Sequence, residues 1–136
     1  METLSLQTSL PHPSNILSLY ESVGWSAYTV NPQSLFRAIE NSRYRYFLWA
    51  KGQLIGLLRA ISDGESIVYV QDLLIHPDYQ RKGLGKSLLQ QLQKDTASIR
   101  QLVLLTDNRP EVAAFYKNCG LSPAQSAGCA CYLLVR

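Results

Sequence analysis

Apolar residues recur first at helical spacing, then at strand spacing, and then at the two in turn. Leu4 to Leu10 reads as a short first strand, ended by Pro11 and Pro13. Ile16, Leu19, Tyr20 and Val23 share one helical face, so a helix is expected from a cap at Ser14 or Asn15 to about Val23, where Gly24 stops it. The link Trp25-Ser26-Ala27-Tyr28 reads as a loop and is aromatic for one. It is either a lid over a substrate pocket or two rings covering the edge of the core. Leu35, Phe36 and Ile39 mark a second helix, capped by Asn31 with Pro32 at its first position.

From Tyr44 the period changes. Tyr44 to Ala50 and Leu54 to Ser62 are two expected strands joined by the compact turn Lys51-Gly52-Gln53, with Arg43 and Arg45 on a solvated edge. Asp63-Gly64-Glu65 turns the chain into a long apolar strand, Ile67 to Ile75, which completes an antiparallel meander. His76-Pro77-Asp78 ends it, because proline cannot continue the ladder. Leu84, Leu88, Leu89 and Leu92 then line one face of a helix, and Gln101 to Thr106 follows as a strand parallel to Ile67 to Ile75. A further helix covers about Arg109 to Cys119, with Val112, Phe115, Tyr116 and Cys119 on one face and Gly120 at its end. Cys129 to Val135 reads as a final strand. The expected fold class is α/β: a mixed, mostly antiparallel sheet with helices on both faces.

Size and composition narrow the function. With 136 residues the chain fits one domain, residues 1–136. Apolar content of 46% with 17% charged residues is ordinary for a soluble globular protein. A net charge of +3 without any basic run suits an anionic small molecule at least as well as nucleic acid, which is not an expected partner. No apolar run is long enough to cross a membrane, and METLSLQTSL lacks a basic region and apolar signal core. Cys119, Cys129 and Cys131 have no zinc-type spacing, so reduced thiols in the cytoplasm and no metal are expected.

The chemistry concentrates in Ile67 to Gln91. A strand, a turn and the loop Gln80-Arg81-Lys82-Gly83-Leu84-Gly85 open a helix, leaving backbone N–H groups free at its positive end. Such a cradle suits a phosphate or pyrophosphate, with Arg81, Lys82 and Lys86 adding charge. Gly85-Lys86-Ser87 is not a nucleotide-triphosphatase loop, because position 80 is Gln80 and not glycine. Leu88 likewise breaks the dinucleotide pattern G-x-G-x-x-G.

What remains, Gln-x-x-Gly-x-Gly after a strand, resembles the GCN5-related N-acetyltransferases (GNAT), whose acetyl-coenzyme A pyrophosphate sits on a Q/R-x-x-G-x-G/A loop. The resemblance runs from about Trp25 to the C-terminus and rests chiefly on LLIHPDYQRKGLGKSLL. It implies a sheet in which the parallel strand pair splays apart and the pantetheine arm fills the gap. Leu73, Leu74 and Ile75 then offer backbone groups to the arm, a backbone N–H near Leu74 polarises the thioester carbonyl, and Gln80, Arg81, Lys82, Gly83, Leu84, Gly85 and Lys86 hold the pyrophosphate. Asn108 resembles the family's cofactor-contacting asparagine, unless it is only a helix cap before Arg109-Pro110.

Ala113-Ala114-Phe115-Tyr116-Lys117-Asn118-Cys119-Gly120-Leu121 resembles A-x-x-F-Y-x-x-x-G-F, which makes Tyr116 the acid that protonates the departing thiolate, or else a core tyrosine. Leu121 departs from the family's phenylalanine. Where many relatives carry a glutamate before an aspartate, this chain has Gln71-Asp72. Asp72 is therefore a candidate base, a binder of the cationic substrate or a bulge residue bonded to backbone, with a water chain as the other route for the proton. Trp25 and Tyr28 complete the candidate substrate site.

The implied activity is direct transfer of acetyl from acetyl-coenzyme A to a primary amine through a ternary complex. LYESVGW, DLLIHP, QRKGLGKSLL and FYKNCG together resemble a subgroup related to plant chloroplast serotonin-type acetyltransferases, which suggests an arylalkylamine. Acetylation of protein lysines or N-termini, of polyamines or of aminoglycosides stays open, as does a non-catalytic acyl-coenzyme A sensor or scaffold, in a monomer or homodimer without a membrane partner.

Overall fold

The computed structural model describes residues 3–136, which fall into two compact units, one ending at Leu105 and the other comprising Thr106–Arg136. The first unit contains β1 (Leu4–Gln7), α1 (Pro13–Ser22), α2 (Ser26–Thr29), α3 (Pro32–Glu40), β2 (Tyr44–Ala50), β3 (Gln53–Ser62) and β4 (Ile67–Ile75). A 3-10 turn (Pro77–Tyr79), α4 (Leu84–Asp95) and β5 (Gln101–Leu104) complete it. The second unit holds α5 (Pro110–Asn118) and a 3-10 turn (Ala124–Ala127).

The five strands form one open sheet in the order β1-β2-β3-β4-β5, antiparallel except for the β4–β5 pair. Lys51 and Gly52 both take left-handed backbone, φ 50° and 75°, and close β2 onto β3 by a two-residue turn whose twist matches the strands. Helices cover both faces of the sheet. Phe47 is buried with Ile16, Leu19, Leu35 and Ile39 of α1 and α3, whereas its neighbour Tyr46 donates to Asp95 Oδ2 of α4 at 2.7 Å. Adjacent strand residues point to opposite faces, so α4 lies across the sheet from α1 and α3. Leu88, Leu89 and Leu92 are its buried stripe, as their spacing predicts.

Two irregularities shape β4. Arg59 pairs with Asp72 and Ala60 with Val70, so Gln71 is an extra residue, a β-bulge. On its other edge β4 pairs with β5 only from Ile67↔Gln101 to Val70↔Leu104. Beyond that point residues 71–75 have no strand partner on that side among the described residues.

Several local expectations are corrected. β1 stops at Gln7, before residues 8–10. α1 is capped by His12, whose Nδ1 accepts from Ser14 N at 3.1 Å, and not by Ser14 or Asn15; Pro13 occupies the first helical position and so sets an earlier start. The aromatic link contains a short helix, α2. Arg45 does not lie free at an edge: its Nη1 donates to the carbonyls of Ile39 and Glu40 at 3.4 and 2.9 Å, closing the C-terminus of α3. The segment from Cys129 to Val135 forms no strand, and Tyr132, Leu133, Leu134 and Val135 are exposed. Strand propensity alone does not make a strand.

Candidate active site on the fourth strand and the glycine loop

The 3-10 turn is capped by His76, whose Nδ1 accepts from Asp78 N at 3.1 Å. Gln80 ties the loop back to the strand, its Nε2 donating to Ile75 O at 2.9 Å. Arg81 and Gly83 then adopt left-handed backbone, φ 63° and 78°. Gly83 is the N-cap of α4 and supplies no side chain to it; the first amide bonded back into the helix is that of Ser87, to Gly83 O at 3.0 Å. The amides of Leu84, Gly85 and Lys86 precede that bond and point out of the helix end. A Cβ on Gly83 would project into open space, so the cradle stays clear because the residue there has none. Exposed Arg81 and Lys82 flank it, and Lys82 Nζ sits 5.3 Å from the centre of the Tyr79 ring.

The free edge of β4 continues into this loop. His76 N donates to Ile55 O at 2.7 Å, so at His76 the backbone faces β3. Strand alternation turns Leu74 the same way and leaves the N–H and C=O of Leu73 and Ile75 facing the open side. The row offered to an extended ligand is therefore Leu73 and Ile75, with Leu74 committed to β3. Such a row, followed by an amide cradle, fits an extended arm ending in a pyrophosphate, and so fits coenzyme A.

On the α1 side of the bulge lies a buried polar network. Asp72 is 3% exposed and Arg59 5%, each among apolar neighbours of the sheet. Arg59 Nε donates to Asp72 Oδ2 at 2.6 Å. Tyr20 Oη donates to the same oxygen at 2.9 Å, and Tyr28 Oη to Oδ1 at 2.7 Å. Arg59 also reaches Ser42 Oγ at 3.3 Å and Tyr28 Oη at 3.4 Å, while Gln71 Nε2 donates to Tyr28 Oη at 3.3 Å. Because of the bulge, Gln71 and Asp72 both reach this face. Burial, and after it the Asp72 carboxylate, raises the Tyr20 and Tyr28 phenols above their ordinary range. Burial pulls the Arg59 guanidinium down, but Asp72 outweighs it and holds the group above its ordinary value. The rings of Tyr20, Trp25 and Tyr28 pack edge-on or tilted, with centroids 5.2–6.2 Å apart.

The model of the acetyltransferase (GNAT) domain matches residues 42–121, more than half of the sequence. The chain belongs to the GNAT acetyltransferase family. An uncharacterized N-acetyltransferase, ycf52, of Gracilaria tenuistipitata var. liui is 37% identical over 108 residues, a match that takes in 75% of this chain and 57% of that protein. The chain spans less than two thirds of the length of the curated relatives it matches first. Among solved structures, a GNAT-family acetyltransferase of Streptococcus pneumoniae TIGR4 superposes with a TM-score of 0.85 at 29% identity, covering 100% of this chain and 98% of that one. The PaiA N-acetyltransferase of Thermoplasma acidophilum, solved in complex with coenzyme A, shares the fold at a TM-score of 0.70 and 18% identity, over 85% of this chain and 88% of that one.

Within this GNAT chain the second unit carries two of the expected site residues. Asn108 is exposed, and the cap of α5 is Arg109, without a side-chain cap bond, so the capping alternative for Asn108 is not realised. Tyr116 is half-buried on α5, with its ring 5.0 Å from that of Phe115. Burial raises its phenol pKa, opposed by a hydrogen bond to Thr106, so it stays a proton donor at neutral pH. Gly120, at φ 90°, ends the helix, with Leu121 N bonded to Tyr116 O at 3.0 Å.

Trp25, Tyr28 and Asp72, expected at the substrate site, do come together, with Arg59, Tyr20, Gln71 and Ser42 added. The residue that sequence reasoning missed is Arg59. Its signal was available: a lone cation in an apolar strand, with Asp72 the matching lone acid in the next strand.

Two outcomes follow from the network. Asp72→Ala leaves Arg59 buried without its partner and should cost about 3–5 kcal/mol, measured by denaturant unfolding; Arg59→Met with Asp72→Leu should recover much of it. Because the folded chain keeps the Tyr20 and Tyr28 protons more tightly than the unfolded chain, stability should hold up to about pH 10 and fall above it. Melting temperatures across that range test this, and Tyr20→Phe should make the fall shallower.

Proposed function

We propose that the chain is an N-acetyltransferase that carries acetyl from acetyl-coenzyme A directly to a primary amine in a ternary complex, its two units working as one domain over residues 1–136. The observation that carries this reading is the continuity of one segment, residues 71–86. It presents in order the acceptor-side bulge, the open amides of Leu73 and Ile75, and the cradle at Gly83.

In this reading coenzyme A supplies the thioester, whose carbonyl carbon is the electrophile. Leu73 and Ile75 hold the pantetheine arm as an added strand would, and an outward N–H of that row takes the charge that builds on the carbonyl oxygen. The loop residues Gln80 to Lys86 hold the pyrophosphate. Asn108 contacts the cofactor, and Tyr116 gives its proton to the departing sulfur. Asp72 already accepts three hydrogen bonds, which favours the water route for the amine proton over direct transfer to its carboxylate. Trp25 and Tyr28 offer aromatic surface, which supports an arylalkylamine acceptor and the likeness to the plant serotonin-type subgroup. Three cysteines without a zinc-type spacing support a cytoplasmic setting.

Gly83→Val places a side chain in the cradle on left-handed backbone and should abolish coenzyme A binding by calorimetry; unchanged affinity sinks the assignment of the loop. Tyr116→Phe should lower turnover about 10²-fold or more while coenzyme A affinity holds. Wild-type rates in that variant mean that another group is the acid, whereas a wild-type protein that binds acetyl-coenzyme A and acetylates nothing favours the non-catalytic sensor.

A further inference from the structure

The buried network poses a problem of access. Asp72 is the acid nearest the bulge, yet it is 3% exposed and its oxygens accept from Arg59, Tyr20 and Tyr28 at 2.6, 2.9 and 2.7 Å. Its charge is neutralised by Arg59, and its burial keeps both oxygens from a substrate. The network does reach solvent at one end. Tyr28 is half-buried on α2 and Gln71 is exposed on β4, and their side chains meet at 3.3 Å.

The position of that end is set by the strand. Gln71 lies two residues before Leu73, a rise of about 7 Å along β4. If the thioester carbonyl lies against the outward row that starts at Leu73, an amine approaching from the bulge passes Gln71 and Tyr28. The phenol is also oriented for the encounter. Its O–H is spent on Asp72 Oδ1, so the oxygen presents a lone pair to any incoming N–H. The donors that now approach that oxygen, Arg59 Nη2 at 3.4 Å and Gln71 Nε2 at 3.3 Å, sit at the long end of the hydrogen-bond range and are readily displaced.

We propose that the Tyr28 hydroxyl, fixed by the buried Arg59–Asp72 pair, is the group that receives the acceptor amine, with Asp72 and Arg59 acting through it as positioning residues. This rests on the amine-acceptor reading above and assigns the acceptor contact within it. It also sets a specificity. An acceptor met by a phenol oxygen beside the Trp25 ring, with no unpaired carboxylate in the network, is a monoamine on a flat apolar frame and not a polycation.

The test uses the full chain, acetyl-coenzyme A and thiol release. The acceptors are tryptamine, phenethylamine, spermidine, glucosamine and peptides presenting a lysine or a free N-terminus. Tryptamine or phenethylamine should be preferred over spermidine, and Tyr28→Phe should raise the KM for the preferred amine about tenfold with kcat changed less than threefold. Tyr28→Phe keeps the ring and its packing, so a purely structural hydroxyl would lower the melting temperature and leave KM in place. That result overturns the proposal, as does a fall in kcat at constant KM, or spermidine as the best acceptor. A wild-type protein inert toward every acceptor defeats the amine-acceptor reading itself and this assignment with it. Activity in the wild type with an unmoved KM in Tyr28→Phe defeats only the assignment.

Discussion

The constraint on which the rest depends is the ion pair between Arg59 and Asp72, closed inside an otherwise apolar sheet. An unpaired charge in that place would be prohibitive, so each residue requires the other, and the register of β3 against β4 requires both. The pair does not stand alone. Tyr20 from α1 and Tyr28 from α2 complete its hydrogen bonding, so the helices covering this face are oriented by polar contacts as well as by the Ile16, Leu19, Leu35 and Ile39 cluster. Packing of aliphatic side chains tolerates sliding; three directed bonds to one carboxylate do not.

That difference explains why a four-residue helix can be held at all. α2 is too short to stand on its own propensity, and none of its residues is buried. It is held by the turn bonds at either end and by the Tyr28 hydroxyl reaching 2.7 Å into the sheet. Loss of the network would therefore release α2 before it cost the sheet its core. The glycine loop has a separate support: Gln80 anchors it to the end of β4, and Gly83 sets the start of α4.

The elements were legible where a period was long and its punctuation strong. β2 and β4 carry the bounds that their apolar runs predict, Asn31 and Pro32 begin α3, and Gly83 opens α4. Capping at His12 was not legible, because an imidazole nitrogen replaces the usual hydroxyl or amide. The tail from Cys129 to Val135 misled, since strand propensity does not say whether an edge will receive it. Of the candidate site, the loop could be read from local spacing. Of the Asp72 network only the match of a lone cation to a lone acid in adjacent strands could be, because Tyr20 and Tyr28 join the pair through tertiary packing that the sequence does not state. Nor does periodicity say which backbone groups a neighbouring strand takes, so Leu74 looks as available as Leu73.

The extra residue at Gln71 has a consequence for the shape of the sheet. A bulge bends its strand and tightens the local twist, and this one falls where the ladder between β4 and β5 ends, immediately after Val70 and Leu104. The end of the pairing between the two parallel strands thus coincides with a bend written into the backbone. An extended chain laid along residues 71–75 meets backbone that no strand holds on that side among the described residues, so the sheet gives up no ladder bonds to receive it.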